Sequence, residues 1–325
     1  MTSKFKNDLY NSRLLIEEME RCSYFIQDKA LFGSFPTQET VHILEEQGVR
    51  CFIDLTGSDE LKTTPYFTRY KYIKYPIVDR MIPEDWKSFA QLILVISRAI
   101  SLLNHREKVY IHCKGGHGRS GILVACIFCY YFNVTPDEAL RHTSRCHSNR
   151  PVMRDKWRRL GSPQGKRQKD FVYRFFRPLR FTHPEPFGFT VGMHNLSSHP
   201  VEIPGVGVFA NALLAFQYYR CPENPEYVKS LLEGRYRQDL ILEHNRDWEE
   251  HKVDYMYKVL ELKFRQHDAL RQNLMNTGLR PVVKGSFDPF WGDGNGSAHG
   301  RNIIGRLLDK LRCQFLLEDF HQLYN

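Results

Sequence analysis

The sequence contains no apolar run long enough to cross a bilayer. Its longest run covers residues 121–132, whereas a membrane-spanning helix needs about 20 apolar residues. Residues 1–20 are polar and charged and include no apolar segment of the kind that secretory signals carry. These absences predict a protein that is not inserted in a membrane and that stays inside the cell, in the cytoplasm or the nucleus. Its eight cysteines are therefore expected to be reduced thiols and not a disulfide framework.

Acidic residues are scarce between positions 141 and 180, where thirteen Lys and Arg residues stand against Asp155 and Asp170. Such an excess fits a solvated basic face, and it also fits a surface that attracts anionic substrates such as phosphates or nucleic acid. The segment contains no nucleic-acid-binding motif, so sequence-specific nucleic-acid binding is not predicted.

The chain is also without internal repeats, and its 325 residues suggest about two domains at roughly 150 residues each. Proline and glycine interrupt the region around 177–189, which has no sustained helical or strand period. We therefore predict one domain over 1–178, a linker over 179–188 and a second domain over 189–325.

Strand-like and helical patterns alternate in the first domain, which predicts an α/β domain with a mixed sheet flanked by helices. Its predicted elements are strands at 51–53, 72–78 and 108–112 and helices at 86–103, at 121–132 and from the Thr-Pro-Asp-Glu start at 135. The second domain is predicted to be a mainly helical α+β domain. Its predicted elements are helices at 212–219, 225–233, 248–266, 268–277 and 300–315 and a strand at 281–283.

A glycine-rich loop joins the strand at 108–112 to the helix at 121–132. The loop begins with Cys113, and Arg119 follows after five residues. A thiolate is the reactive form of cysteine, and a helix N-terminus and a nearby cation lower the pKa of a thiol. Arg119 can grip two phosphoryl oxygens with its planar fork. We therefore predict that Cys113 is the nucleophile of a phosphate-ester hydrolase, and that Ser120 donates a hydrogen bond to the sulfur as it leaves.

Three of the five residues between Cys113 and Arg119 are glycines, and the other two add cations. Glycine lets successive backbone N–H groups converge on one anion without clashes from Cβ atoms. The predicted phosphate-binding residues are Lys114, Gly115, Gly116, His117 and Gly118.

The leaving oxygen needs a proton, which a carboxylic acid opposite the nucleophile can supply. Asp79 follows the predicted strand at 72–78 and precedes Cys113 by 34 residues. Asp54 and Asp85 are alternatives, although Asp54 has the position of a turn residue and Asp85 fits the first turn of the next helix. We predict that Asp79 is the general acid.

Residues 112–121 resemble the signature of the cysteine-dependent protein tyrosine and dual-specificity phosphatases. The resemblance extends over about 24–176 and includes the turn at 31–36, the strand around 49–55 and the position of Asp79. It implies a two-step reaction without a metal, in which Cys113 takes the phosphoryl group as a phosphocysteine and water then releases it. His112 is implied to orient and tune the thiolate. The cationic loop resembles that of members acting on lipid and nucleotide phosphates, so phosphoproteins and phosphorylated nucleotides or RNA ends both stay open as substrates.

Residues from about 187 to 317 resemble the NADAR domain, which is tied to NAD and ADP-ribose metabolism. The resemblance is carried by Trp248, the pairs at 263–264 and 277–278, and the runs at 287–294 and 300–305. Glycines flank a helix start near Asn302 that would offer backbone N–H groups to a pyrophosphate, and the tryptophans could stack a base. The implied ligand is ADP-ribose or an NAD-like compound, and no other cofactor is required. The candidate ligand residues are Trp248, Asp288, Trp291, Gly292, Gly294 and Asn302.

The second domain departs from its family at two acidic positions. Leu213 stands where the usual catalytic Glu falls, and Lys284 stands where a second Glu falls. Leucine can neither transfer a proton nor stabilise an oxocarbenium-like cation, so binding without N-glycosidase activity is expected. Two alternatives stay open: a phosphatase for ADP-ribose phosphates or RNA ends coupled to an active N-glycosidase, and a non-enzymatic module that binds phosphate and ADP-ribose. By analogy, such a fusion indicates a large DNA virus as the source.

Overall fold

The computed structural model describes residues 20–61, 63–185, 187–241, 245–296 and 299–324, and the chain divides into two compact units. The division falls between Phe176 and Arg177. The segment Leu179–Phe181, at the start of the predicted linker, pairs as a strand within the second unit. We therefore propose that the second domain begins at Arg177, two residues before the predicted linker.

The first unit is built on a five-stranded mixed sheet with the strand order β1-β2-β5-β3-β4. The β1–β2 pair is antiparallel, and all other neighbours are parallel. The strands are β1 (Ser23–Ile26), β2 (Ala30–Gly33), β3 (Val49–Asp54), β4 (Lys71–Lys74) and β5 (Lys108–His112). The described helices are α1 (Gln38–Glu46), α2 (Trp86–Leu102), α3 (Arg119–Phe132), α4 (Pro136–Ser148), α5 (Asp155–Leu160) and α6 (Lys166–Phe175). This architecture confirms the predicted fold class.

The register of the three central strands determines where the loops meet. His112, the last residue of β5, pairs with Gly33 at the end of β2 and with Asp54 at the end of β3. The loops that follow these three strands therefore leave the sheet side by side at one edge, which is where ligands bind in parallel sheets.

Two local sequence signals in the first unit can be compared directly with the structure. Thr135 caps α4 as predicted, because its hydroxyl accepts the Glu138 N–H while the Glu138 carboxylate accepts the Thr135 N–H. The strand predicted at 72–78 ends early, at Lys74, because Pro76 has no N–H to continue the ladder. The N–H groups of Tyr75 and Ile77 still bond to the carbonyls of Asp54 and Leu55.

The second unit is mainly helical, as predicted, and contains two small sheets. Strands β6 and β9 pair in parallel, whereas β7 and β8 pair antiparallel. The strands are β6 (Leu179–Phe181), β7 (Val201–Ile203), β8 (Gly207–Phe209) and β9 (Val282–Lys284). The helices are α7 (Ala212–Tyr218), α8 (Pro225–Leu232), α9 (Trp248–Gln266), α10 (Asp268–Asn276) and α11 (Ile303–Tyr324), with a 3₁₀ turn at Gln238–Leu240. Helix α11 continues past the predicted end at 315 because no glycine or proline follows to stop it.

The structure shows no disulfide bond among the eight cysteines, all of which lie within the described residues. Within the described ranges, no helix combines the length and the hydropathy that a bilayer span requires.

Candidate active site

The loop from Cys113 to Gly118 turns its carbonyl groups outward. The carbonyls of Lys114, Gly116 and His117 each accept a hydrogen bond from outside the loop, and the donors are the Phe35 N–H at 3.2 Å, the Arg150 guanidinium at 2.9 Å and the Ser162 hydroxyl at 2.6 Å. In a trans peptide the following N–H points away from the carbonyl. The N–H groups of residues 115, 117 and 118 therefore point toward the inside of the loop, as an anion site requires.

Gly116 is required by the way the loop packs. Its φ angle is +70°, and a Cβ atom at this position would lie 2.4 Å from the carbonyl carbon and oxygen of Gly33. Gly118 is also close-packed, because its Cβ would lie 2.9 Å from the amide of Gln168. The glycines thus allow the loop to pack directly against the end of β2 and against α6.

Cys113 lies at the floor of a cavity of about 320 Å³ and is only 3% exposed. The Ser120 hydroxyl lies 3.5 Å from its Sγ, in the first turn of α3. The cavity brings together the three residues predicted to share the chemistry, Cys113, Arg119 and Asp79. Its other lining residues are Arg80, Lys114, Gly115, His117, Gly118, Trp157 and Gln164.

Arg119 is a buried guanidinium held in place by several acceptors. Its Nη1 donates to the carbonyl of Ile77 at 2.9 Å, and both Nη atoms donate to the carboxylate of Glu60. Its Nη2 also lies 3.1 Å from Asp79 Oδ1. Its Nε is buried and has no hydrogen-bond partner among the described residues. A phosphoryl oxygen placed beside Nε and Nη2 would supply the hydrogen-bond acceptor that Nε lacks.

Glu60 is a functional residue that the sequence did not point to. It lies in the irregular loop after β3, where its Oε1 also accepts the Gly57 N–H at 2.9 Å. Burial raises the pKa of Glu60, but the hydrogen bonds from Arg119 and Gly57 outweigh it and lower the pKa overall. Glu60 is therefore an anion that fixes the fork of Arg119. The only hint in the sequence was an acidic residue shortly after a strand that ends at the site.

Asp79 sits at the rim of the cavity, and its side chain is 58% exposed. The two alternative acids are engaged elsewhere. Asp54 is buried and accepts hydrogen bonds from Thr56, Tyr72 and Lys74, while Asp85 caps α2 by accepting the Lys87 N–H at 2.9 Å. Of the three candidates, only Asp79 faces the cavity that contains Cys113.

His112 is a buried neutral imidazole behind the nucleophile. The Tyr66 hydroxyl lies 2.7 Å from its Nε2, and Asp54 Oδ1 lies 3.7 Å from its Nδ1. Burial lowers the pKa of His112 to about 4, even though the nearby Asp54 acts in the opposite direction. The contact with Tyr66 holds the ring at the end of β5, and His112 does not supply positive charge at neutral pH.

The prediction that His117 adds a cation to the loop is wrong. Its Nδ1 lies 2.8 Å from His147 Nε2, and its ring stacks on Trp157 at 4.7 Å. Burial and the charge of Arg150 lower the pKa of His117 to about 4, so the ring is neutral at pH 7. Lys114, by contrast, is exposed at the cavity and supplies the expected positive charge.

These histidines predict that the first domain loses stability in acid. Burial lowers the pKa of His112 and His117 to about 4 and that of His147 to about 3, from an ordinary value of 6.5. The unfolded chain takes up these protons first, so the free energy of unfolding should fall as the pH drops from about 6.5 toward 4. Urea denaturation at pH 7 and pH 5 measures this fall. His117→Gln should reduce it, whereas the exposed His42→Gln should not, and equal falls in both variants would contradict the assignment.

The start of α11 does not offer open N–H groups, contrary to the prediction. The N–H groups of residues 301–304 donate to carbonyls of the preceding loop, namely those of Pro289, Gly292, Phe290 and Trp291. The Asn302 side chain is also occupied, because its Oδ1 accepts the Lys284 N–H and its Nδ2 donates to the Val282 carbonyl. Asn302 therefore ties α11 to β9 and leaves no cradle for a pyrophosphate.

The other candidate ligand residues divide between structural roles and accessible positions. Trp248 is 7% exposed, and its ring centroid lies 4.9 Å from that of Phe216. It is therefore a core residue and is not open for a base to stack on, contrary to the prediction. Asp288 accepts the N–H groups of Phe290 and Trp291 and thereby closes a turn. Gly292 and Gly294 shape the same loop, since a Cβ on Gly292 would lie 2.6 Å from Ser286 and Gly294 has a φ of +64°.

Trp291 and Leu213 lie at partly accessible positions in the second unit. Trp291 is half-buried and meets the Phe216 ring edge-on at 5.5 Å, which joins the loop to α7. Leu213 is half-buried on α7, where its N–H donates to the Asn195 carbonyl. Lys284 is also half-buried, and burial lowers its pKa. Neither Leu213 nor Lys284 provides the carboxylate of the Glu expected at its position.

Comparison with known proteins matches the two units separately. The model of the Swiss Army Knife protein DSP-PTPase phosphatase domain matches residues 20–172, and the NADAR domain model matches residues 209–316. "Putative tyrosine phosphatase 197R" of Invertebrate iridescent virus 6 is 31% identical over 313 residues, which cover 90% of this chain and 95% of the relative. This relative is a viral protein.

Two further matches cover smaller parts of the chain. The N-glycosidase YbiA of Shigella flexneri is 40% identical over 74 residues, which cover 22% of this chain and 46% of that protein. The crystal structure of Tk-PTP in the active form is 19% identical, with a TM-score of 0.37, and the match covers 47% of this chain and 93% of that one.

Proposed function

Because this chain belongs to the dual-specificity-type protein tyrosine phosphatases that carry a C-terminal NADAR domain, we propose that it hydrolyses phosphate monoesters through a phosphocysteine on Cys113. The observation that carries the proposal is the cavity that holds Cys113, Arg119 and Asp79 together. The outward carbonyls of the loop support it as well, because they leave the N–H groups of residues 115, 117 and 118 directed toward the inside of the loop. A non-enzymatic binding module would not need an acid at the rim.

In the first step, the Cys113 Sγ attacks phosphorus while the ester P–O bond breaks. The leaving oxygen takes the proton of the Asp79 carboxylic acid. Arg119 and the N–H groups of the loop hold the equatorial oxygens, whose charge is largest in the transition state. Glu60 keeps the Arg119 fork in place during this step, and Asp79 moves off Nη2 as the phosphoryl oxygen arrives.

In the second step, water attacks phosphorus and gives its proton to the Asp79 carboxylate. The P–S bond breaks, and its electron pair returns to Cys113 as the thiolate. The Ser120 hydroxyl, 3.5 Å from Sγ, can donate a hydrogen bond to this returning charge. Inorganic phosphate leaves, and the residues are restored to their starting protonation states.

Asp79→Asn is expected to slow turnover of esters with poor leaving groups by roughly 10²–10⁴-fold, because the leaving oxygen then receives no proton. The loss should be much smaller for an aryl ester whose leaving group needs no proton. Steady-state phosphate release with both classes of ester measures this difference. Glu84→Gln is a matched control, since Glu84 is exposed in the same connection but does not line the cavity. An equal loss on both ester classes would rule out Asp79 as the acid.

We also propose that the C-terminal domain binds an ADP-ribose-like nucleotide and hydrolyses it slowly or not at all. The match to the NADAR model supports the ligand class, and Leu213 supports the weak hydrolysis, because it offers only apolar surface where a carboxylate is needed. Because the N–H groups at the start of α11 are already bonded to loop carbonyls, we expect the ligand to contact the surface around Trp291 and α7.

Calorimetry of the full chain with ADP-ribose is expected to show binding that Trp291→Ala weakens roughly fivefold or more, since base stacking contributes about 1–3 kcal/mol. Phe287→Ala is the control, because Phe287 is exposed in the same loop and packs less against it. Release of the base should be slow, and Leu213→Glu should accelerate it. Rapid base release by the unmodified chain would contradict the proposed slow hydrolysis. If ADP-ribose does not bind, the proposed ligand class is wrong.

A further inference from the structure

A second cavity, of about 460 Å³, opens beside the catalytic one. The two cavities share Gly115, His117 and Trp157, so these residues form a common wall. The described residues that line the second cavity include three arginines, Arg21, Arg150 and Arg154, and no aspartate or glutamate. A concave surface of this composition concentrates anions.

Arg150 is a buried cation with no charged acceptor among the described residues. Its guanidinium donates to the carbonyls of Gly116 and Phe32 and to the Ser23 hydroxyl, and it lies 4.3 Å above the Phe32 ring. Burial lowers the pKa of Arg150 to about 10, so it stays protonated at pH 7. A buried charge is costly unless an opposite charge lies nearby. Anions in the cavities on either side of the common wall would offset this cost.

The common wall is held in a defined position. His117 stacks on Trp157 with 19° between the ring planes, and its other edge contacts His147. Arg158, one residue after Trp157, donates to the carbonyl of Arg150 at 2.9 Å. The distance between the two cavities is therefore fixed by packed rings and does not depend on a flexible side chain.

We propose that the second cavity binds a second phosphate group of the substrate while the first phosphate occupies the cavity of Cys113. This inference rests on the proposed function, and it narrows the substrate class to small phosphate esters that carry two phosphates. Arg154, which is exposed at the start of α5, supplies the accessible cation. A nucleoside bisphosphate and an inositol bisphosphate present the same chemistry.

The test compares matched pairs that differ by one phosphate: adenosine 3′,5′-bisphosphate with adenosine 5′-monophosphate, and inositol 1,4-bisphosphate with inositol 1-phosphate. The full chain should show at least a tenfold higher kcat/KM for the bisphosphate in one or both pairs. Arg154→Gln should reduce this ratio roughly tenfold, since it removes a charge-assisted hydrogen bond. Arg159→Gln should leave the ratio unchanged, because Arg159 is also exposed on this helix but lines neither cavity.

Preference in only one pair would support the second phosphate site and identify the scaffold that fits it. A ratio near one in both pairs, or an equal effect of Arg159→Gln, would overturn the proposal. Binding of the same compounds to the Cys113→Ser chain by calorimetry separates this result from a failure of catalysis. If no ester is hydrolysed but the Arg154-dependent preference appears in binding, the second site stands and the proposed function fails. If binding shows no preference, the second site is wrong.

Discussion

Cys113→Ser is expected to reduce phosphate release by on the order of 10⁵-fold or to abolish it, because the thiolate that we propose to take the phosphoryl group is then missing. A serine hydroxyl is un-ionised at neutral pH and is a weak nucleophile unless a general base activates it. Release of 4-nitrophenol from its phosphate ester measures the change. The fold should be preserved, since serine is close to cysteine in size and the side chain sits at the cavity floor.

Cys146→Ser is the matched control for this variant. Cys146 lies on α4, outside the catalytic cavity, and its Sγ contacts His142 at 3.4 Å. Its replacement should leave the rate within about twofold of the original, as is usual for substitutions away from a site. Substantial turnover by Cys113→Ser, with the control unchanged, would show that the reaction does not pass through this sulfur.

Arg119→Lys is expected to lower kcat by roughly 10²–10³-fold, the usual cost of losing one donor to the developing charge of a transition state. Lysine keeps the positive charge but has no planar fork, so it cannot hold Glu60 on one side and phosphoryl oxygens on the other. Steady-state kinetics on an aryl phosphate, with circular dichroism to confirm folding, measure the effect. Because the chemistry slows while the charge remains, kcat should fall more than KM rises.

Arg106→Lys provides the comparison for the same chemical change on an exposed arginine before β5. We expect no kinetic effect there. A loss of less than about threefold in Arg119→Lys would mean that the bidentate grip is unimportant, and it would leave the phosphoryl group to the backbone N–H groups alone.

The features that could be predicted from the sequence are those set by short-range chemistry. The bounds of β5 match the prediction, and the capping box of α4 follows from four consecutive residues. The loop between Cys113 and Arg119 could be assigned because its glycines, nucleophile and arginine are adjacent in the chain. Asp79 could be ranked above its rivals because each candidate stood next to a recognisable strand or helix end.

The features that could not be predicted depend on contacts between distant segments. Glu60 and Tyr66 reach Arg119 and His112 from an irregular loop that carries no periodic pattern. The charge of His117 was misjudged because its burial and its contact with His147, 30 residues away, have no signature in the sequence. The start of α11 was misjudged for the same reason, since only the structure shows the loop at 289–292 occupying its N–H groups.

The central claim is that the phosphoryl group is carried by Cys113, and trapping the intermediate tests it most directly. The chain is mixed with an aryl phosphate, quenched in acid within the first turnover, digested and examined by mass spectrometry. Our account predicts one added phosphoryl group on the peptide that contains Cys113, and none after the same treatment of Cys113→Ser. Turnover without any phosphorylated peptide, or with the phosphoryl group on another residue, would contradict it.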